Sequence, residues 1–167
     1  MVTNKNKFSG LHSSMTDEWS TPKPFFEALN RIFNFTLDVC ATSENAKCLL
    51  FFTKEQDGLS QSWDKHRVWM NPPYGIEIVY WVKKAHETAM LGNLVVGLLP
   101  SRTDNAWWNT YVKGHADIHF IMGRLAFGDG TASAPFPSAL AIWWGQEKII
   151  DQRKKKGAED MQGWLLA

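Results

Sequence analysis

The sequence predicts an α/β domain of three layers, a mainly parallel sheet between helices with an antiparallel C-terminal edge. Three observations carry this. Segments with helical apolar spacing alternate with short apolar runs through the first two thirds of the chain. The run from Asn93 to Leu99 is apolar almost throughout, as a strand covered on both faces must be. Three further strand-like runs then gather toward the C-terminus. Such sheets bind ligands beyond the carboxyl ends of their strands, so the residues that follow each strand matter most.

Residues 1–16 read as a mobile leader, 17–147 as the folded domain and 148–167 as a charged tail or helix. Ser20-Thr21-Pro22 opens the first helix, a hydroxyl cap followed by proline in the first turn. Phe25, Phe26, Leu29, Ile32 and Phe33 recur at helical spacing. A short strand follows over Phe35–Val39. Between 42 and 62 the pattern supports only a short helix near Asn45–Leu49 and a short strand near Leu50–Thr53. Arg67–Met70 reads as a strand and Ile76–Met90 as a helix that Gly92 stops. Pro100 closes the Asn93–Leu99 strand, and Thr103–Lys113 forms a helix capped by Thr103 or Asp104. Asp117–Met122, Leu125–Phe127 and Ser138–Trp144 are the last strands.

Composition sets the class. Apolar content of 44% and charged content of 21% are those of an ordinary globular domain able to bury a core. The net charge of +1 gives no global electrostatic footprint for nucleic acid, although a local basic face fits within it. No run approaches the about 18 apolar residues that span a bilayer, so no membrane partner is expected. Cys40 and Cys48 make no disulfide framework, and a reducing cytoplasm is the default. Most of the nine tryptophans, Trp69, Trp81 and Trp143 among them, read as core rather than as stacking platforms. Nothing in the chain sets an oligomeric state.

The most informative stretch is Asn71-Pro72-Pro73-Tyr74, directly after an apolar strand. Two prolines fix two φ angles and remove two N–H donors, and each pushes its predecessor toward extended backbone. The result is a stiff corner holding the Asn71 side-chain oxygen and the Pro72 carbonyl in place. Two fixed acceptors can take both protons of a planar amine and turn its lone pair toward an electrophile. Tyr74 offers a flat face for the ring that bears the amine. A duplex base reaches such a pocket only if flipped out or already single-stranded. The plain alternative is a turn that ends a strand. Asp38 and Pro100-Ser101-Arg102 fall at the same rim, which favours a site over a turn.

Thr21-Pro22, Leu37-Asp38-Val39-Cys40-Ala41, Asp57-Gly58-Leu59, Asn71-Pro72-Pro73-Tyr74-Gly75 and Gly123-Arg124-Leu125-Ala126-Phe127, in that order, resemble the phage-type DNA adenine-N6 methyltransferases. The resemblance covers roughly residues 18 to 144. It implies a Rossmann-like methyltransferase fold, S-adenosylmethionine as methyl donor, DNA adenine as acceptor and the cytoplasm of a bacterial host as the setting. By the same resemblance Asn71 to Tyr74 are catalytic. Thr21 and Pro22 lie along the methionine part of the donor, Asp38, Cys40 and Ala41 form the loop after the first strand, and Asp57 and Leu59 lie near the donor's adenine. Two departures stand out. The Gly-rich turn of many relatives is replaced by Val39-Cys40-Ala41-Thr42-Ser43. The gap from Asp38 to Asn71 is short for a full domain, which points to a trimmed strand–helix unit and leaves the usual ribose-binding carboxylate without a counterpart.

Read singly, Asp38 serves equally as a loop cap and Asp57-Gly58 as a turn. Arg102 and Arg124 follow strand ends and suit DNA phosphates or surface ion pairs. His115 and His119 are four apart on an expected strand, so no metal site is expected. Protein glutamine-amide methylation is the alternative chemistry, because an amide nitrogen poses the same problem to the same motif. A degenerate fold used as a binding module is the non-enzymatic alternative.

Overall fold

The computed structural model describes residues 19–128 and 132–145. The expected leader, the charged tail and the basic run Arg153–Lys156 lie outside the described residues.

Eight strands and two α-helices follow in chain order: α1 (Lys23–Phe33), β1 (Leu37–Asp38), β2 (Leu50–Phe51), β3 (Val68–Met70), α2 (Ile78–Met90), β4 (Val95–Pro100), β5 (Asp117–Phe120), β6 (Ala126–Phe127), β7 (Ala132–Ser133) and β8 (Ser138–Trp143), with a π-helical turn over Trp108–Val112 before β5. Six strands make one sheet in the order β2-β1-β3-β4-β8-β5. Strands β1 to β4 run parallel. The antiparallel part lies at the other end, where β8 inserts between β4 and β5. Strands β6 and β7 form a separate hairpin.

The layers follow from side-chain alternation along β3. Trp69 meets Phe26 of α1 edge-on at 5.5 Å, which places α1 on that face. Met70 points the other way, where its methyl and the Trp143 ring fill the space a side chain at Gly97 would need. The Trp143 indole N–H donates to the Tyr111 carbonyl in the π-helical turn, so that turn covers the second face. Every residue of β4 and β8 is buried, which accounts for their unbroken apolar runs.

Several elements differ from their sequence expectation. Helix α1 begins at Lys23 behind Pro22, with no side-chain cap, and ends where Asn34 takes a left-handed conformation and Asn30 accepts from the Phe35 N–H. The helix expected near Asn45–Leu49 is a turn, because Thr42 and Asn45 satisfy the local amides with their side chains. No helix joins β1, β2 and β3, so the sheet is trimmed there. The Thr103–Lys113 helix shrinks to a short irregular one without a Thr103 or Asp104 side-chain cap. Asn109 and Thr110 donate from their side chains to carbonyls of the preceding turn, which opens the helical ladder. Helix α2 starts two residues late, leaving Ile76 outside it.

Candidate active site

Strand β3 delivers Asn71 to the carboxyl rim, and every hydrogen-bonding atom of the Asn71 amide is then engaged. Its Nδ2 donates to the Trp19 carbonyl and, at 3.0 Å, to the Thr21 hydroxyl. The Tyr74 hydroxyl lies 2.9 Å from Asn71 Oδ1 and 3.1 Å from the Leu98 carbonyl oxygen of β4. These partners fix which end of the amide is oxygen. Each amide proton has an acceptor, whereas Oδ1 has two lone pairs and at most one donor. Asn71 therefore retains acceptor capacity in a fixed direction. Among the described residues no donor meets the Pro72 carbonyl, so a second free acceptor stands one residue on.

Tyr74 does not offer the flat face expected of it. Only 3% of the residue is exposed. Its ring meets Phe136 at 5.3 Å and Phe127 at 6.2 Å, both edge-on. Its two carbonyl partners turn the ring inward, and the aromatic pair covers it. Burial keeps the phenol pKa well above its ordinary value, so the group stays a neutral donor. Trp19 completes the cluster at 5.4 Å from Phe127 and 5.2 Å from Phe136. The Ser20 carbonyl accepts from the Gly128 N–H, which ties the hairpin to the entering chain. Of this aromatic cap, Trp19 opens the Trp19-Ser20-Thr21-Pro22 segment and Phe127 ends the Gly123–Phe127 segment, both part of the family resemblance. Phe136 sits between two prolines and carries no periodic signal.

The residues expected to hold the donor form a second group beside the first. Asp38 ends β1 and is buried. Its carboxylate accepts from the Cys40 N–H at 3.3 Å and the Lys47 N–H at 3.0 Å, so it ties both ends of the loop that replaces the Gly-rich turn. Desolvation raises its pKa from 3.8 to about 6, against the lowering effect of those two amides and the Lys47 charge. The Ala41 N–H donates to the Phe52 carbonyl, which pins the same loop to the residue after β2. Burial holds the Cys40 thiol well above its ordinary pKa, and the Asn71 backbone N–H faces its sulfur, joining the two groups.

Asp57 is exposed and builds a turn: its carboxylate accepts from the Leu59 N–H, and its backbone is left-handed at φ 50°. That turn is nevertheless in place against the loop after β1. A Cβ at Gly58 would sit 2.2 Å from the Val39 carbonyl oxygen. The absence of a side chain at Gly58 is what lets this turn pack directly on the Val39 backbone. Trp63 Nε1 donates to the Gly58 carbonyl, and the Lys84 ammonium donates to the Leu59 and Gln61 carbonyls, which lock the turn. Trp63 and Trp81 stack within this support, and both are structural.

Arg102 is exposed and donates to the Tyr74 carbonyl at 3.4 Å. Arg124 is exposed. Neither forms an ion pair with a carboxylate among the described residues. His115 precedes β5 rather than lying in it, and packs on His86 at 4.4 Å. Among the described residues no three His, Cys, Asp or Glu side chains converge as a metal site would require. An open groove of about 540 Å³ runs along α2 and residues 59–64, lined by Trp63, Tyr80 and Leu91 among others; of the candidate site residues only Leu59 lines it.

Residues 8–156 match the family model described as DNA N-6-adenine-methyltransferase (Dam). The chain is 31% identical to a DNA N-6-adenine-methyltransferase of Haemophilus phage HP1 over 143 residues, which is 81% of this chain and 83% of that protein. It is 32% identical over 81 residues to a protein of Escherichia coli K12 named putative methyltransferase YfdM, covering 44% of this chain and 89% of that one.

Proposed function

We propose, from the premise that the chain belongs to the DNA N-6-adenine-methyltransferase (Dam) family, that it transfers a methyl group from S-adenosylmethionine to the N6 amine of adenine in DNA. The observation that carries the assignment of residues is the locked Asn71 amide. Its two protons are consumed by Trp19 and Thr21, its oxygen keeps acceptor capacity, and no donor among the described residues meets the Pro72 carbonyl beside it.

The donor, when bound, supplies an electrophilic methyl group on a sulfonium. Asp38, Cys40 and Ala41 on one side and the Asp57-Gly58-Leu59 turn on the other are the residues that would hold it. They suit it, because a buried carboxylate organises a loop of small residues and Gly58 permits close packing where a side chain would not.

The chain's own part in the reaction is electrostatic. Asn71 Oδ1 and the Pro72 carbonyl each accept one N–H of the exocyclic amine, which strips its lone pair from the ring and aims it outward. Positive charge develops on that nitrogen during attack, and two carbonyl dipoles already pointing at it stabilise the charge without reorganising. The departing proton is acidic once the charge has formed, so no strong base is needed. Tyr74 acts through its hydroxyl, which steadies the Asn71 oxygen, rather than through its ring. The adenine enters flipped from a duplex or from single-stranded DNA.

Incubation with S-adenosylmethionine and DNA free of adenine methylation, followed by nucleoside mass spectrometry, tests the reading. N6-methyladenine should accumulate only when both are present. Its absence, with donor binding demonstrated by thermal shift, rejects it.

A further inference from the structure

We propose that Ile76 is a wedge that enters the base stack as the target adenine leaves a duplex. The proposal rests on the reading of the chain as a DNA adenine methyltransferase. The sequence expectation has Ile76 as the first residue of α2. The structure puts it in the turn before α2, 92% exposed.

Single exposed apolar residues are ordinary on protein surfaces, so exposure alone decides nothing. Position decides. Leu49 is equally exposed but precedes β2, at the amino ends of the parallel strands, away from the rim. Ile76 lies at the carboxyl rim, five residues after Asn71, and five residues reach at most about 17 Å even when extended. Phe120 ends β5 and Met122 follows it, both exposed at the same rim, but β5 stands three strands from β3 and Phe120 is stacked on Trp108 of its own chain.

The support beneath Ile76 is stiff. Pro72 and Pro73 fix the backbone behind it, Arg102 holds the Tyr74 carbonyl, and the Ile78 N–H donates to the Gly75 carbonyl at 3.3 Å. A tip on this corner moves with the amine acceptors. The gap it fills and the pocket that receives the base are therefore in one register. Extruding a stacked base costs a few kcal/mol, and apolar side chains inserted at the vacated step offset that cost.

Charge sorts the rim in the same way. Glu77 adjoins Ile76 and is exposed, which suits this tip to a base step and not to a phosphate. Arg102 follows β4 and Arg124 follows β5, one and three strands along from β3. At about 4.8 Å per strand the ends of β4 and β5 lie about 5 and about 14 Å from the β3 end, on the flank where phosphates beside the opened step can be met.

The test compares plasmid DNA free of adenine methylation in native and heat-denatured form, using the full chain, Ile76→Ala and Ile76→Leu. Ile76→Ala should lose about tenfold or more in methylation of native DNA and change less than about threefold on denatured DNA, with an unchanged melting temperature. Ile76→Leu should keep most activity on the native form. Equal rates for Ile76→Ala and the unaltered chain on native DNA reject the wedge, as does an equal loss on both forms. An unaltered chain active on denatured DNA alone rejects the wedge and leaves the methyltransferase reading standing. One that methylates neither rejects both.

Discussion

The corner proposed to hold the amine and the loop proposed to hold the donor sit side by side at one rim and are built by opposite means. At the corner, Asn71 is held by the Trp19 carbonyl and the Thr21 hydroxyl of the entering chain and by the Tyr74 hydroxyl, and its oxygen keeps acceptor capacity. The donor loop has no comparable motif. It hangs on one buried carboxylate that accepts from two loop amides and on one glycine that lets a distant turn close in. The difference separates two ways of placing a ligand. The corner fixes polar atoms directly, whereas the donor side fixes backbone and leaves contacts to whatever the backbone presents. Damage at the corner should therefore appear in the rate of transfer, and damage at the donor loop in donor affinity and in stability.

Asn71→Ala is the severest break. On the proposed mechanism it removes an acceptor at the atom where charge develops, for which losses of about 10²–10³ in rate are the ordinary scale. Donor affinity by calorimetry should change far less than the rate, because of the candidate donor residues only Thr21 is hydrogen-bonded to the Asn71 side chain. A variant that still transfers at more than about a tenth of the parent rate would remove Asn71 from its role.

Asp38 sharpens the comparison through pH. In the fold its pKa is about 6, mainly through burial, against 3.8 for the ordinary group. Between these values the native state keeps a proton that the unfolded chain has lost. The stability this contributes is full below about pH 4 and is lost as pH rises through 6. The gap corresponds to about 3 kcal/mol. Charging the same carboxylate strengthens the bonds it accepts from Cys40 and Lys47, so donor affinity should rise over the interval in which stability falls. Urea midpoints for the parent and Asp38→Asn, measured from pH 4 to 7.5, check the first effect. The asparagine variant should lack the downward slope and bind donor more weakly at pH 7.5, since one amide N–H loses its acceptor. Parallel slopes in the two proteins would show that Asp38 does not titrate there.

Gly58→Ala tests the other half of the donor side. The added methyl carbon would lie 2.2 Å from a backbone oxygen and 3.1 Å from the Trp81 ring, so the turn must withdraw. Overpacking of this kind costs about 1–3 kcal/mol. Donor affinity should fall with it, while the rate at saturating donor stays within a few fold of the parent. An unchanged melting temperature and unchanged affinity would show that the close approach is not needed.

What the sequence disclosed follows the same division. The corner was legible because its chemistry is contiguous in the chain, and the sheet was legible because β4 and β8 are buried end to end. The trimming between Asp38 and Asn71 could be read from spacing alone. The donor loop could not be assembled from sequence, because its ties run to the backbone amides of Cys40 and Lys47, and an amide leaves no mark in a sequence. Gly58 looked like part of a turn, which it is, and its packing against Val39 depends on a fold that local pattern does not encode. The inward rotation of Tyr74 was hidden for a related reason. Its partners, Leu98 and Phe136, lie 24 and 62 residues away in the chain.

Tyr74→Phe breaks the corner most gently. The ring stays, so the packing against Phe127 and Phe136 is kept, and only the phenolic proton is lost. That proton faces two carbonyl oxygens and can serve one at a time. Its removal leaves the Leu98 carbonyl without this donor and lets the Asn71 oxygen settle less sharply. The usual net worth of one such bond, about 0.5–1.5 kcal/mol, sets the scale, or about two- to tenfold in rate. Donor affinity should not move. Tyr74→Ala differs, because it also empties the space beneath Phe136 and should lower the melting temperature, which the phenylalanine variant should largely preserve. If the tyrosine worked mainly as a stacking face for the base, Tyr74→Phe would transfer at the parent rate. Kinetics of the two variants at saturating donor therefore decide between the hydroxyl and the ring.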